Sequence, residues 1–159
     1  MINRFTNMIA RNIYLALLTL LGIGAVFGGA VLIISPSGKL FGMPLSMLDN
    51  SPFNNFLIPG VILFSVLGIM PCWIVWSLIK GPEYKIAESF NFFTDMYWAW
   101  SYSIYTAFAL IIWIQIEMSF VQAVHWSHTL YMVWAIAIIF VALLPQVRKL
   151  YGKHKVSGK

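Results

Sequence analysis

Charge is what this chain has least of. Only 9% of its 159 residues are charged, while 60% are hydrophobic and 16% aromatic. Soluble domains carry roughly 25% charged residues. A soluble fold of this length cannot hide so much apolar surface from water. The mean hydropathy of +0.82 therefore excludes an ordinary soluble enzyme and a disordered chain. Cysteine is nearly absent, Cys72 standing alone in an apolar run. That rules out an intramolecular disulfide, a secreted disulfide scaffold and a thiol oxidoreductase that shuttles electrons through cysteine pairs. Acid is scarce too, with five Asp and Glu against ten Lys and Arg. No GxSxG, HExxH, P-loop or paired carboxylates occur in the apolar runs. No catalytic residue and no cofactor is assigned.

Four stretches are long and apolar enough to cross a bilayer, which takes about 20 residues: Ile13 to Ser35, Phe56 to Ile79, Met96 to Ile116 and Ser127 to Val147. Only helices satisfy the backbone in such unbroken runs. The expected fold is all-α: a polytopic membrane protein, a single four-transmembrane-helix bundle with a structured outer loop between helices 1 and 2. The first run is longer than a signal-peptide core and lacks a small-x-small site, so it reads as a retained helix.

Basic residues orient the bundle. Arg4, Arg11, Lys80, Lys85, Arg148, Lys149, Lys153, Lys155 and Lys159 fall on one side of four spans, and Lys39 alone on the other. The positive-inside rule places both termini, and a basic tail from 148 to 159, in the cytoplasm. The +5 charge is thus read as anchoring charge and not as a nucleic-acid footprint. Aromatic residues expected at the inner boundary include Tyr14, Trp73, Trp76, Tyr97, Trp98, Trp100 and Tyr151; Trp113, Trp126 and Tyr131 are expected at the outer one. Trp134 lies deeper, as a packing residue.

Small residues punctuate the helices. Gly24 and Gly28, like Ala25 and Gly29, are spaced for close helix approach, within the bundle or between two copies. Pro71 lies deep in the second span, where it should break a backbone bond and kink the helix. Between Pro82 and Asp95, Ile86, Phe90 and Phe93 recur at helical spacing, which predicts a short amphipathic helix on the inner membrane face. Ile2, Phe5, Met8 and Ile9 suggest that helix 1 extends along the same interface.

The outer side holds the remaining chemistry. The connection Pro36 to Asn55 has turn signals at both ends and apolar residues between them. It predicts a short helix or re-entrant turn that caps the bundle mouth, over a pocket bordered by Glu117. Glu117, Gln115, Lys39 and Asp49 are the candidate ligand-binding polar groups there. Glu117 needs Lys39, a histidine or water as a partner if buried. His125 and His128 are three apart and share one helical face, a spacing that suits a metal or a proton relay. On helix 3, Trp98, Tyr102 and Tyr105 form an aromatic face able to hold a flat hydrophobic molecule, or to hydrogen-bond neighbouring helices.

The stretch GGAVLIISPSGKLFGMPLSMLDNSPFNNFLIPGVILFSVLGIMP, Gly28 to Pro71, resembles a family of uncharacterised bacterial four-helix integral membrane proteins. Their first hairpin reads glycine-rich helix, PSG turn, G-x-P, SPF and PG. The layout is more distantly similar to DoxX-like proteins. The resemblance implies a small bacterial inner-membrane protein and carries no activity with it. The expected function is that of a non-catalytic subunit, assembly factor or hydrophobic-ligand binder. The alternative is a small membrane enzyme or carrier acting on a lipid or quinone at the outer mouth. Expected partners are the lipid bilayer, a hydrophobic small molecule, and a homo-oligomer or larger membrane complex; nucleic acid is not among them.

Overall fold

A computed structural model describes residues 2–122 and 125–153, with side chains from residue 6. Lys155, Lys159 and His154 lie outside the described residues. Among those described, the chain is helical, and four helices are long and apolar enough to cross a membrane. The order is α1 (Ile2–Ile34), two 3-10 turns (Lys39–Phe41 and Leu45–Leu48), α2 (Leu57–Lys80), α3 (Lys85–Ser89), α4 (Trp98–Val121), α5 (Trp126–Leu143) and α6 (Pro145–Tyr151). The four long helices run up, down, up, down. Two hairpins, α1–α2 and α4–α5, have the most extensive internal packing, and they meet along α2–α4 and α1–α5.

Each boundary has a local cause. Ser35-Pro36 stops α1, because proline disfavours helical backbone in the residue before it. Gly81, at φ 68, closes α2 with its amide on the Ser77 carbonyl at 2.8 Å. α5 was expected to run to Val147, but it ends at Leu143. Leu144 is extended (ψ 136) ahead of Pro145, which opens the separate helix α6. α4 outruns its expected end at Ile116 and reaches Val121, because nothing between them interrupts the backbone ladder. The N-terminal segment continues α1, and 33 residues span about 50 Å at 1.5 Å each.

At Pro71 the backbone ladder of α2 changes pattern. α2 is continuous through it, but Leu63–Ile69 just ahead is wound as a π-helix, with the Met70 amide on the Ser65 carbonyl five residues back. Proline cannot donate to the carbonyl four residues earlier and crowds it. Widening the preceding turns relieves that conflict within the helix.

The glycines divide into two groups. A Cβ on Gly29 would stand 2.6 Å from the Phe64 nitrogen, and one on Gly60 2.8 Å from the Leu32 Cβ. Gly68 meets Val26 and Gly22 meets Cys72 in the same way. These four bring α1 and α2 backbone to backbone, which is packing within the bundle. Gly24 meets nothing within 4 Å. Gly28 meets α2 only through the Leu63 side chain, at 3.5 Å, and both residues border a void.

The core of the basic end is packed, and the cleft at that end, between Lys80, Glu83, Tyr97 and Lys153, is an open polar one outside the core. Tyr14, Trp98 and Trp100 were expected at the membrane boundary, but all three are buried in the core. Tyr14 hydrogen-bonds Ser103 across α1–α4. Trp100 Nε1 donates to the Ala142 carbonyl at 3.0 Å. Ala99, Ala107, Ala135 and Ala142 are fully buried and let α4 and α5 approach closely.

The tail is not free through residue 153. The Tyr97 amide donates to the Tyr151 carbonyl, and the Lys153 amide to the Asp95 carbonyl, each at 2.8 Å. Lys153 Nζ meets Glu88 at 2.6 Å, and Arg148 meets Asp95 at 3.7 Å. This clasp ties α6 to the α3–α4 connection. The amphipathic helix expected over 82–95 shrinks to Lys85–Ser89, yet Ile86 and Phe92 remain 79% and 84% exposed.

Candidate functional site

The opposite end is hollow. Residues 36–55 fold over the bundle mouth as two 3-10 turns, the first bracketed by Gly38 and Gly42 in left-handed conformations (φ 74 and 65). A side chain at Gly38 would overlap the Met43 carbonyl oxygen. Leu48 and Phe56 pack on Leu32, and Phe53 meets Phe120 edge-on at 6.0 Å. These apolar contacts hold the cap to α1 and α4.

Beneath the cap lies a cavity of about 490 Å³, within the range of small-molecule sites. Its walls come from α1, α2, α4 and α5. Gly24 and Gly28 open the α1 wall, Leu63 and Leu67 of the π-helical stretch form the α2 wall, and Trp113 and Trp134 face them. The lining also includes Leu20, Leu130 and Tyr131, which are themselves exposed. The cavity therefore opens sideways between α1 and α5.

Glu117 is the one carboxylate in this lining. α4 carries it to the mouth, opposite the first turn of α5, where His128 is buried. The His125 backbone amide donates to His128 Nδ1 at 3.1 Å. An imidazole nitrogen that accepts is unprotonated, so the neutral ring carries its proton on Nε2. Nε2 points at Glu117 Oε1, 3.8 Å away. That is too long for a direct hydrogen bond. A donor and an acceptor thus face each other across a gap at the rim of an apolar chamber.

The candidate residues separate into three places. Glu117 and His128 come together at the mouth. Gln115, Lys39 and Asp49 are exposed and outside the cavity lining. Trp98, Tyr102 and Tyr105 lie at the other end, with their polar atoms on the α2–α4 connection. Trp98 Nε1 donates to the Pro82 carbonyl at 3.0 Å, Tyr102 Oη to Ala87 at 3.3 Å, and the Phe92 amide donates to Tyr105 Oη at 2.9 Å. His125 serves the start of α5 through its backbone and is exposed. Among the described residues no group of three or more His, Cys, Asp or Glu could hold a metal ion. The 123–124 stretch of the α4–α5 connection lies outside the described residues. Gln122, just before it, ends α4 in the left-handed region at φ 51.

Two contributors carry little signal in the sequence. Gly24 and Gly28 read as a helix-contact pair, and only the path of α2 makes them a wall of the void. Asn91 is buried at the basic end and binds four groups: the Met96 carbonyl, Glu88, the Phe93 amide and Ser101.

No protein-family model, curated protein or solved structure matches the chain. The resemblance drawn from Gly28 to Pro71 therefore rests on those residues alone.

Proposed function

We propose that this protein is a small integral protein of a bacterial inner membrane that binds a hydrophobic molecule beneath its cap. In this reading α1, α2, α4 and α5 cross the bilayer, with the clasped end in the cytoplasm and the cap outside. Four long apolar helices support the membrane assignment, and the basic residues gathered at one end support the orientation. The observation that carries the function is the lateral cavity. Its lining is apolar apart from Glu117 and a few weakly polar groups, and it opens sideways between α1 and α5. A solvent-facing pocket would need more polar wall, and a bundle with no ligand would gain packing by filling the void.

Extraction into polymer nanodiscs followed by mass spectrometry of the bound lipids tests this. The expected result is a hydrophobic species enriched over bulk lipid and lost in Gly24→Leu, whose side chain enters the cavity. A lipid profile identical to bulk in both proteins would overturn it. Topology is tested by impermeant maleimide. Lys39→Cys should react in intact cells, and Lys149→Cys only after permeabilisation.

The Glu117–His128 pair favours a second reading. A neutral imidazole beside a carboxyl group is a general acid–base arrangement, as a small enzyme or carrier acting on a lipid or quinone at this mouth would use. Turnover that stops in Glu117→Gln while binding persists would select it.

A further inference from the structure

We infer that the molecule held in the cavity is an uncharged, hydroxyl-headed amphiphile, with its hydroxyl bridging Glu117 and His128 and its chain lying along Gly24 and Gly28. The inference rests on the proposed binding role and adds the chemistry of the ligand's head.

The gap at the rim sets that chemistry. Glu117 Oε1 and His128 Nε2 are 3.8 Å apart. An oxygen about 2.8 Å from both atoms fits between them, at ordinary hydrogen-bond lengths. Nε2–H is a donor, because Nδ1 is committed to the His125 amide. A carboxylate accepts. The bridging group must therefore accept from one side and donate to the other. A hydroxyl does both. A ketone or ester carbonyl only accepts, so it satisfies His128 and leaves Glu117 unpaired. A carboxylate or phosphate head would set a second negative charge beside the half-exposed Glu117, which it would repel. Lys39 is exposed outside the lining, so it does not neutralise such a head inside the cavity.

The chain follows from the walls. Gly24 has nothing within 4 Å of where a side chain would begin, and Gly28 has only the Leu63 side chain at 3.5 Å. The two lie one helical turn apart and form a smooth trough. Leu20, further along α1, borders the same space. An alkyl or isoprenoid chain lies along such a trough, whereas a branched or wide ring system meets the Trp113 and Trp134 indoles across it. A free long-chain alcohol and an acylglycerol share this head chemistry.

The test is photo-crosslinking in phosphatidylcholine nanodiscs with a diazirine-bearing hexadecanol, the adduct being mapped by peptide mass spectrometry. Unlabelled hexadecanol, monopalmitin, palmitic acid and hexadecane compete. The adduct is expected on the cavity walls. Hexadecanol should compete about ten-fold better than hexadecane or palmitic acid, the worth of one or two buried hydrogen bonds. Monopalmitin matching hexadecanol identifies an acylglycerol source; monopalmitin failing identifies a free alcohol. Glu117→Leu should erase the preference for alcohol over alkane. Glu117→Gln, which keeps an acceptor and loses the charge, should keep hexadecanol binding and admit palmitic acid. Equal competition by all chains in the native protein overturns the head-group inference and leaves the binding role standing. Adducts scattered over the outer surface, with no competition by any chain, overturn both.

Discussion

The two ends of this bundle solve opposite problems with the same kinds of residue. At the basic end, aromatic side chains fill space and most of their polar tips are paired, the buried Tyr151 hydroxyl being an exception. Trp98, Trp100, Tyr102 and Tyr105 all find hydrogen-bond partners there. At the capped end, Trp113, Phe120 and Trp134 surround a void, and the buried His128 donor and the half-exposed Glu117 acceptor stand 3.8 Å apart without a bond. Glycine shows the same division. Gly29 and Gly68 allow α1 and α2 to touch, while Gly24 and Gly28, on the same helix, leave room. Composition does not separate a packed end from a hollow one. The difference lies in whether another backbone comes to meet the small residue.

Substitutions at matched residues should break this contrast or sharpen it. The largest effect is expected for Trp100→Ala, which empties a fully buried site and orphans the Ala142 carbonyl. Loss of packing on that scale costs about 3–5 kcal/mol. Trp113→Ala, at the wall of an existing cavity, should cost about a third of that, because fewer atoms surround the ring. Thermal unfolding in detergent distinguishes the two, and equal losses would erase the contrast. Asn91→Ala should follow at about 2–3 kcal/mol, since it strips partners from the Phe93 amide, the Met96 carbonyl and Ser101. The glycine pair comes next. Gly29→Ala drives a Cβ into the Phe64 backbone and should destabilise by about 1–3 kcal/mol. Gly24→Ala meets open space and should stabilise α1 by about 0.5–1 kcal/mol. The same melting curves, shifting in opposite directions, would separate the seam from the trough.

The smallest effect belongs to the clasp. Burial alone would raise the Glu88 carboxyl, but hydrogen bonds from Lys153 and Asn91, with the Lys153 charge, hold it below its ordinary value. A depressed carboxylate contributes stability that is present above the unfolded-state value and lost as pH falls through the folded one. The window is therefore the acid side of the usual glutamate range. Both partners are partly exposed, so the contribution is about 0.5 kcal/mol. Lys153→Gln should flatten that slope. An unchanged acid limb would show that the clasp is held by its backbone bonds and the Arg148–Asp95 pair, without the Lys153–Glu88 contact.

Much of the architecture was legible because apolar run length and proline placement act locally. Four runs gave four long helices, and the turn residues around 36–55 gave a cap. Expectation departed from the structure where a distant partner decides. Pro71 marked where the backbone ladder is disturbed, but not that the turns ahead of it widen. Leu144-Pro145 ended α5 inside an apolar run, because a local breaker outweighed continuous hydropathy. Trp98 and Trp100 looked like interfacial residues, because ring chemistry does not reveal that α5 and the Pro82 carbonyl lie above them. Glu117 stood out by rarity among apolar neighbours. Its neighbour, among Lys39, the histidines and water, was settled only by how α4 and α5 lie together.

The hydrogen bond from Trp134 Nε1 to the Leu17 carbonyl, 3.1 Å long, joins the two hairpins where the packed half of the bundle gives way to the cavity. On one side of it the clasp and the aromatic core lock the hairpins together. On the other, α1 and α5 border the opening without closing it. Trp134 is thus a keystone: one indole supplies both a wall of the chamber and the last polar tie before it.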